Sequence, residues 1–108
     1  MSIFEDRERA FEAKAAYDEE KAFRVSSLRD RMMAAWAADI LGKTGAEAEA
    51  YVNQIVRDQI AGHASLSGPD ALLDRLSVDL EAAVSSATVA AHISLSEASA
   101  REKIENGN

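Results

Sequence analysis

The chain has 108 residues, no cysteine and a formal charge of −7 at neutral pH. This fits one domain with a modest core, without disulfides or thiolate chemistry, and without the basic surface needed to bind nucleic acid or an anionic membrane. Hydrophobic residues make up 47% of it, but 22 of these are Ala, and Ala with Glu, Lys, Arg and Leu, without alternating β-branched runs, points to an all-α domain.

The charge is uneven. Residues 1–31 hold eight acids and seven bases, whereas residues 32–108 hold eleven acids and five bases. The opening stretch, MSIFEDRERAFEAKAAYDEEKAF, is ionic throughout, with Phe4 and Phe11 seven residues apart. Phe4, Phe11, Ala15 and Ala22 make one thin apolar stripe at helical spacing, narrower than a core-facing helix needs. Two readings stay open here. In one, the segment is a solvated helix held by local ion pairs such as Glu5 with Arg9, each contributing only ~0.2–0.5 kcal/mol. In the other, Phe4 and Phe11 anchor in a partner's pockets while Arg7, Arg9 and Lys14 meet carboxylates.

From about Asp18 to Leu41, Ala22, Val25, Leu28, Met32, Trp36 and Ile40 recur at steps of three and four, and Met33, Ala37 and Leu41 widen the face. This spacing predicts a helix with Trp36 and the methionines in the core. Gly42 ends it, and Thr44 with Glu47 reads as a capping box for a second, antiparallel helix. That helix buries Ala48, Val52, Ile55, Val56 and Gln59 or Ile60, and stops near Gly62. HASLSG, residues 63–68, reads as a linker.

Pro69 after Gly68, with Asp70 next, marks a third helix that turns Leu72, Leu73, Leu76, Leu80 and Val84 inward. Ser85 and Ser86 are expected to cap a fourth helix carrying Val89, Ile93, Ala100 and Ile104. A break at Ser94, with Glu97 completing a capping box, is the alternative. Ser94, Ser96 and Ser99 are expected to let the C-terminal half of that helix fray. The expected architecture is a four-helix bundle over 18–105, a flexible or partly helical arm over 1–17, and a disordered tail over 106–108.

Neither a membrane span nor a signal peptide is expected, which keeps the chain in the compartment where it is made. Residues 37–44, AADILGKT, resemble a phosphate loop, but that chemistry needs a strand and a glycine-rich loop where a helix is predicted. Lys43, at the start of helix two, offers at most weak attraction for an anion. His63 and His92 lack carboxylates at metal-ligand spacing and are read as surface or helix-end residues. No catalytic residue, metal ligand or cofactor site can be assembled, so an enzyme is not expected.

FEDRERAFEAK, YDEEKAFRV and RDRMMAAWAADILGKTGAEAEAY, which together run from Phe4 to Tyr51, closely resemble the ζ subunit family, small inhibitors of the F1 part of ATP synthase in α-proteobacteria. DRLSVDL, from Asp74 to Leu80, also fits, while the last helix is richer in Ser and Ala. The resemblance implies a four-helix domain whose mobile N-terminal arm becomes helical as it enters a catalytic interface between α and β subunits beside the γ shaft. There it blocks rotation in the hydrolytic direction. Carried onto this chain, the partner-binding positions are Phe4, Asp6, Arg7, Arg9, Phe11, Glu12 and Lys14. The resemblance further implies a protein that is monomeric when free, cytoplasmic, and peripheral to the inner membrane through F1. It also suggests weak adenine-nucleotide binding by the bundle, and the alternative function is a helical nucleotide-binding or adaptor domain with a solvated arm.

Overall fold

A computed structural model describes the backbone of residues 3–61 and 68–106, and the side chains of residues 17–61 and 68–106. Four helices follow one another: α1 (Ile3–Ile40), α2 (Gly45–Ala61), α3 (Pro69–Asp79) and α4 (Ser86–Glu105). They form an all-α bundle in which α1 packs against both α2 and α4, and α3 closes onto α4.

The punctuation residues act as their chemistry dictates. At Gly42 the backbone turns left-handed (φ 75°), the Lys43 amide reaches back to the Ala38 carbonyl at 2.9 Å, and the Gly42 amide bonds Asp39 at 3.1 Å. This Schellman closure satisfies carbonyls the helix would otherwise leave unpaired. The Glu47 carboxylate, expected to complete a capping box with Thr44, accepts a hydrogen bond from the Lys43 ammonium at 3.2 Å. Pro69 opens α3 after Gly68, whose φ of 90° suits glycine. Of the two possible starts for the last helix, Ser85 is the one used, its hydroxyl accepting the Thr88 amide at 3.2 Å. α4 then holds its helix to Glu105 where fraying was expected, and Asn106 closes it through its own amide to the Glu102 carbonyl. Residues 107 and 108, the rest of the expected tail, lie outside the described residues, as do Gly62, His63 and most of the HASLSG linker.

Met33, Ala34, Ala37, Ile55, Leu72, Leu76, Leu80, Val89 and Ile93 form the core, with Trp36, Ile40, Tyr51, Val52, Leu73 and Val84 packed around it. Burying each large aliphatic side chain here stabilises the fold by about 1.5–3 kcal/mol before entropy is counted. Ala34, Ala37 and Ala38 are buried, letting α1 approach its neighbours closely.

The buried face of α1 is rotated slightly from the expected one. Ala22 and Leu41 are exposed, and Leu28, Met32 and Trp36 are half-buried. Arg29 and Asp30 occupy the deep positions instead, at 2% and 6% exposure. In α2, Ile55 and Val56 are buried, Ala48, Val52 and Gln59 are half-buried, and Ile60 faces solvent. α1 shows no break near Asp18, where a core helix was expected to begin; it is one helix of 38 residues.

Candidate functional site

The length of α1 sets the geometry of the candidate site. At 1.5 Å per residue its 38 residues span about 57 Å, roughly twice the length of the 20-residue α4. Four contacts fix the register between them. Trp36 stacks on His92 with ring centroids 4.1 Å apart and planes at 23°. The Ser96 hydroxyl donates to Met33 Sδ at 3.2 Å, Arg29 Nη1 donates to Glu97 Oε1 at 3.4 Å, and Lys21 Nζ donates to Glu105 Oε1 at 3.1 Å. Going back along α1 thus means going forward along α4, so the helices are antiparallel and the last turn of α4 lies opposite Lys21.

From Lys21 back to Ile3, α1 continues for 18 more residues, about 27 Å. No further turn of α4 is available to cover that length. The molecule is correspondingly elongated, measuring 63 × 27 × 23 Å. The candidate residues Phe4, Asp6, Arg7, Arg9, Phe11, Glu12 and Lys14 all belong to this overhanging helix. Their backbone is helical, while their side chains fall outside the described residues.

The root of the overhang is polar and open. Tyr17 is 65% exposed, and Glu20 and Arg24 pair at 2.7 Å along the helix. Asp18, Lys21, Ala22, Val25, Glu97 and Arg101 line a shallow groove of about 250 Å³ between α1 and α4. Its mixed charges give it no strong preference for an anion or a cation.

Behind the root lies a feature that charge patterning alone did not reveal. Arg29 Nε and Nη2 both donate to Asp30 Oδ1, at 3.0 and 2.8 Å, and its third nitrogen reaches Glu97 across the helix interface. Burial pushes the Asp30 carboxyl above its usual range, and the hydrogen bond and charge of Arg29 oppose this only in part. Gln59 flanks Asp30 and donates to the Gly68 carbonyl at 3.0 Å, which joins α1, α2 and the start of α3 around one buried ion pair. A signal for this was present in the sequence: Arg29 falls four residues after Val25 and four before Met33, in line with core positions.

At the other end of α1 the resemblance to a phosphate loop dissolves. Residues 37–40 are helical, with Ala37 and Ala38 buried, and Lys43 pairs with Glu47 while lying 5.6 Å from the Tyr51 ring centre. His92 is half-buried against Trp36 in the middle of α4, not at a helix end or on the open surface.

On α2 and α3, Arg75 bonds Asp58 at 2.7 Å and lies 3.5 Å from Asp79, and Tyr51 donates to Asp79 at 2.7 Å. The Arg75 hydrogen bond holds the Asp58 carboxyl below its usual range, while burial and the Asp79 carboxylate push the Tyr51 hydroxyl upward. These groups tie α2 to α3. Among the described residues no cluster of His, Asp and Glu could hold a metal, and no helix is long and apolar enough to cross a membrane.

The arrangement is therefore a stable bundle carrying a helix that outruns its packing partner. Comparison with curated proteins returns no match. Comparison with protein families matches residues 1–103 to ATPase inhibitor subunit zeta, a span that includes both the overhanging helix and nearly all of the bundle, and the chain belongs to that family.

Proposed function

We propose that this chain is a non-catalytic inhibitor of ATP hydrolysis by the F1 part of ATP synthase, and that its arm, residues 1–17, is the inhibitory element. The arm enters a catalytic interface between α and β subunits beside the γ shaft and blocks rotation in the hydrolytic direction. The observation carrying this reading is the overhang: α1 extends about 27 Å beyond the last turn of α4, as a helix rich in charge and unaccompanied by α4. In this reading Phe4 and Phe11 anchor in pockets of the target.

The physics of docking is consistent with it. Ordering a segment on binding costs about 2–5 kcal/mol, so the arm's anchors must contribute more than that. The bundle lowers the requirement in two ways. It holds the arm near its target at high effective concentration, and it provides a formed helix from which the arm's turns propagate without the unfavourable nucleation step. In this reading the free protein is monomeric, with Asp6, Arg7, Arg9, Glu12 and Lys14 keeping the arm soluble and pairing with the target on docking. The protein is cytoplasmic and reaches the inner membrane only through F1.

The test is ATP hydrolysis by purified F1 with the full chain and with a variant lacking residues 1–16. The truncated variant is expected to lose inhibition while its far-ultraviolet spectrum still reports a folded bundle. Equal inhibition by both proteins would remove the arm from the mechanism.

A further inference from the structure

We infer that in the docked state, where the arm is helical, arm and bundle form one rigid strut, so that the rotational phase between them about the α1 axis, and not only their separation, determines whether the arm can stay docked. This rests on the arm being the inserted element, and it concerns how the bundle must sit once insertion has occurred.

Three observations carry it. First, α1 is continuous from Ile3 to Ile40, and no Gly, Pro or Ser lies in the part that overhangs the bundle, so the glycine, proline and serine positions at which helices commonly kink are absent from the projecting part of the strut; the one serine pair, Ser26 and Ser27, falls within the length held by the bundle. Second, the bundle end of that helix is firmly held. Arg29 is locked to Asp30 and to Glu97, Lys21 is tied to Glu105, and Met33, Ala34 and Ala37 are fully buried. The direction in which α1 leaves the bundle is thereby fixed.

Third, the bundle is eccentric to that axis. Val25, Arg29, Met33 and Ala37 are buried, whereas Arg24, Arg31, Ala35 and Asp39 are exposed. The remaining helices therefore lie to one side of α1, and its other side is bare. Turning the arm about its own axis swings the mass of the bundle around it. A bundle with a cross-section of 27 × 23 Å cannot follow a single helix into a narrow cleft, so it stays at the mouth. Whether it clears the surface there depends on which way its heavy side faces.

A flexible tether and a rigid strut respond differently to insertions. Alanines added between Ala16 and Tyr17 extend the helix, and each turns the arm by about 100° and moves it by about 1.5 Å relative to the bundle. One added residue turns it by about 100° and two by about 200°, whereas four leave it about 40° from its starting phase and seven about 20°. The experiment is inhibition of purified F1-ATPase by the full chain carrying one, two, four or seven added alanines, with thermal unfolding of each variant measured alongside.

The strut requires inhibition to follow phase. The one- and two-residue variants should lose about tenfold or more in potency, and the four- and seven-residue variants should recover most of it despite being longer. Potency that is the same in all four, or that falls steadily with length, overturns the inference. The variant lacking residues 1–16 is assayed in the same series. If that variant is inactive while potency ignores phase, only the rigid coupling fails. If it inhibits like the full chain, the inhibitory role of the arm fails, whatever the insertions do.

Discussion

The two ends of α1 have the same backbone and opposite surroundings. From Val25 to Ile40 the helix is flanked by α2 and α4 and its inner residues are buried; from Lys21 back to Ile3 it has outrun α4. Helix propensity cannot account for the difference, since Ala and Arg recur at both ends and the Glu and Lys that the projecting end adds are themselves good helix formers. What separates them is the width of the apolar face. Where Val25, Met33 and Ala37, at multiples of four residues, are broadened by Ala34 and Ala38, neighbouring helices can dock; where Phe4, Phe11 and Ala15 make only a thin stripe among the charges, the face is too narrow for that. One helix thus serves as core at one end and as a projecting element at the other.

That contrast can be broken most severely at Arg29. Arg29→Ala leaves Asp30 buried without its counterion and should cost about 3–5 kcal/mol, seen as a large drop in the midpoint of denaturant unfolding. A change below 1 kcal/mol would mean that water reaches the pair. Replacing both Arg29 and Asp30 by apolar residues of similar volume should cost far less than the single change, because the desolvated charge goes with its partner.

The same pair predicts a pH response. The folded-state pKa of Asp30 lies above its ordinary value near 3.8, so between those two values the folded chain holds more protons than the unfolded chain. Its contribution to stability therefore falls as pH rises through that window. Asp58, held low by Arg75, acts in the opposite sense: its contribution is present above the ordinary carboxylate range and is lost as pH drops through the lowered value. Asp30→Asn should flatten the first of these slopes and leave the second. Unfolding curves for wild type and variant that stay parallel from pH 3 to 7 would contradict the assignment to Asp30.

Smaller effects belong to the ends of the bundle. Ser85→Ala removes the cap of α4 and should destabilise by about 1 kcal/mol in thermal or denaturant unfolding. Lys21→Ala breaks a half-exposed pair with Glu105 and should cost about 0–1 kcal/mol. Least of all on stability, and most pointedly for function, Phe4→Ala combined with Phe11→Ala should leave unfolding nearly unchanged while weakening inhibition of F1. A loss of stability matching that of a core Leu→Ala change, about 2–5 kcal/mol, would place these rings in the bundle and erase the contrast between the two ends.

Much of the bundle was legible because its boundaries are written in residues with local chemistry: Gly42 for a left-handed turn, Pro69 for a first helical turn, Ser85 for a free amide. The leucines of α3 were equally clear from their spacing. The buried Arg29–Asp30 pair was hidden because charge is ordinarily a mark of the surface, and the groups that complete its surroundings, Gln59 and Glu97, come from other helices far along the chain. The spacing places Ala22 on the apolar face, since it continues the stripe, yet it lies exposed along the groove where α1 approaches the end of α4. A stripe in one helix does not state where its neighbour stops. The candidate site was legible in its residues, through the charge density around Phe4 and Phe11 and the family resemblance, but not in its geometry, since the overhang depends on how α1 and α4 pair.

The stacked rings of Trp36 and His92 give this small protein an optical property of its own. Trp36 is the chain's single tryptophan, and it sits on α1 within the part held by α4. Intrinsic emission excited at the indole band therefore reports the closure of α1 on α4 and is remote from the overhang. A titration with F1 that left the emission of Trp36 unmoved while ATP hydrolysis fell would show the bundle docking as a closed unit. A shift in that emission would show α4 parting from α1 as the complex forms.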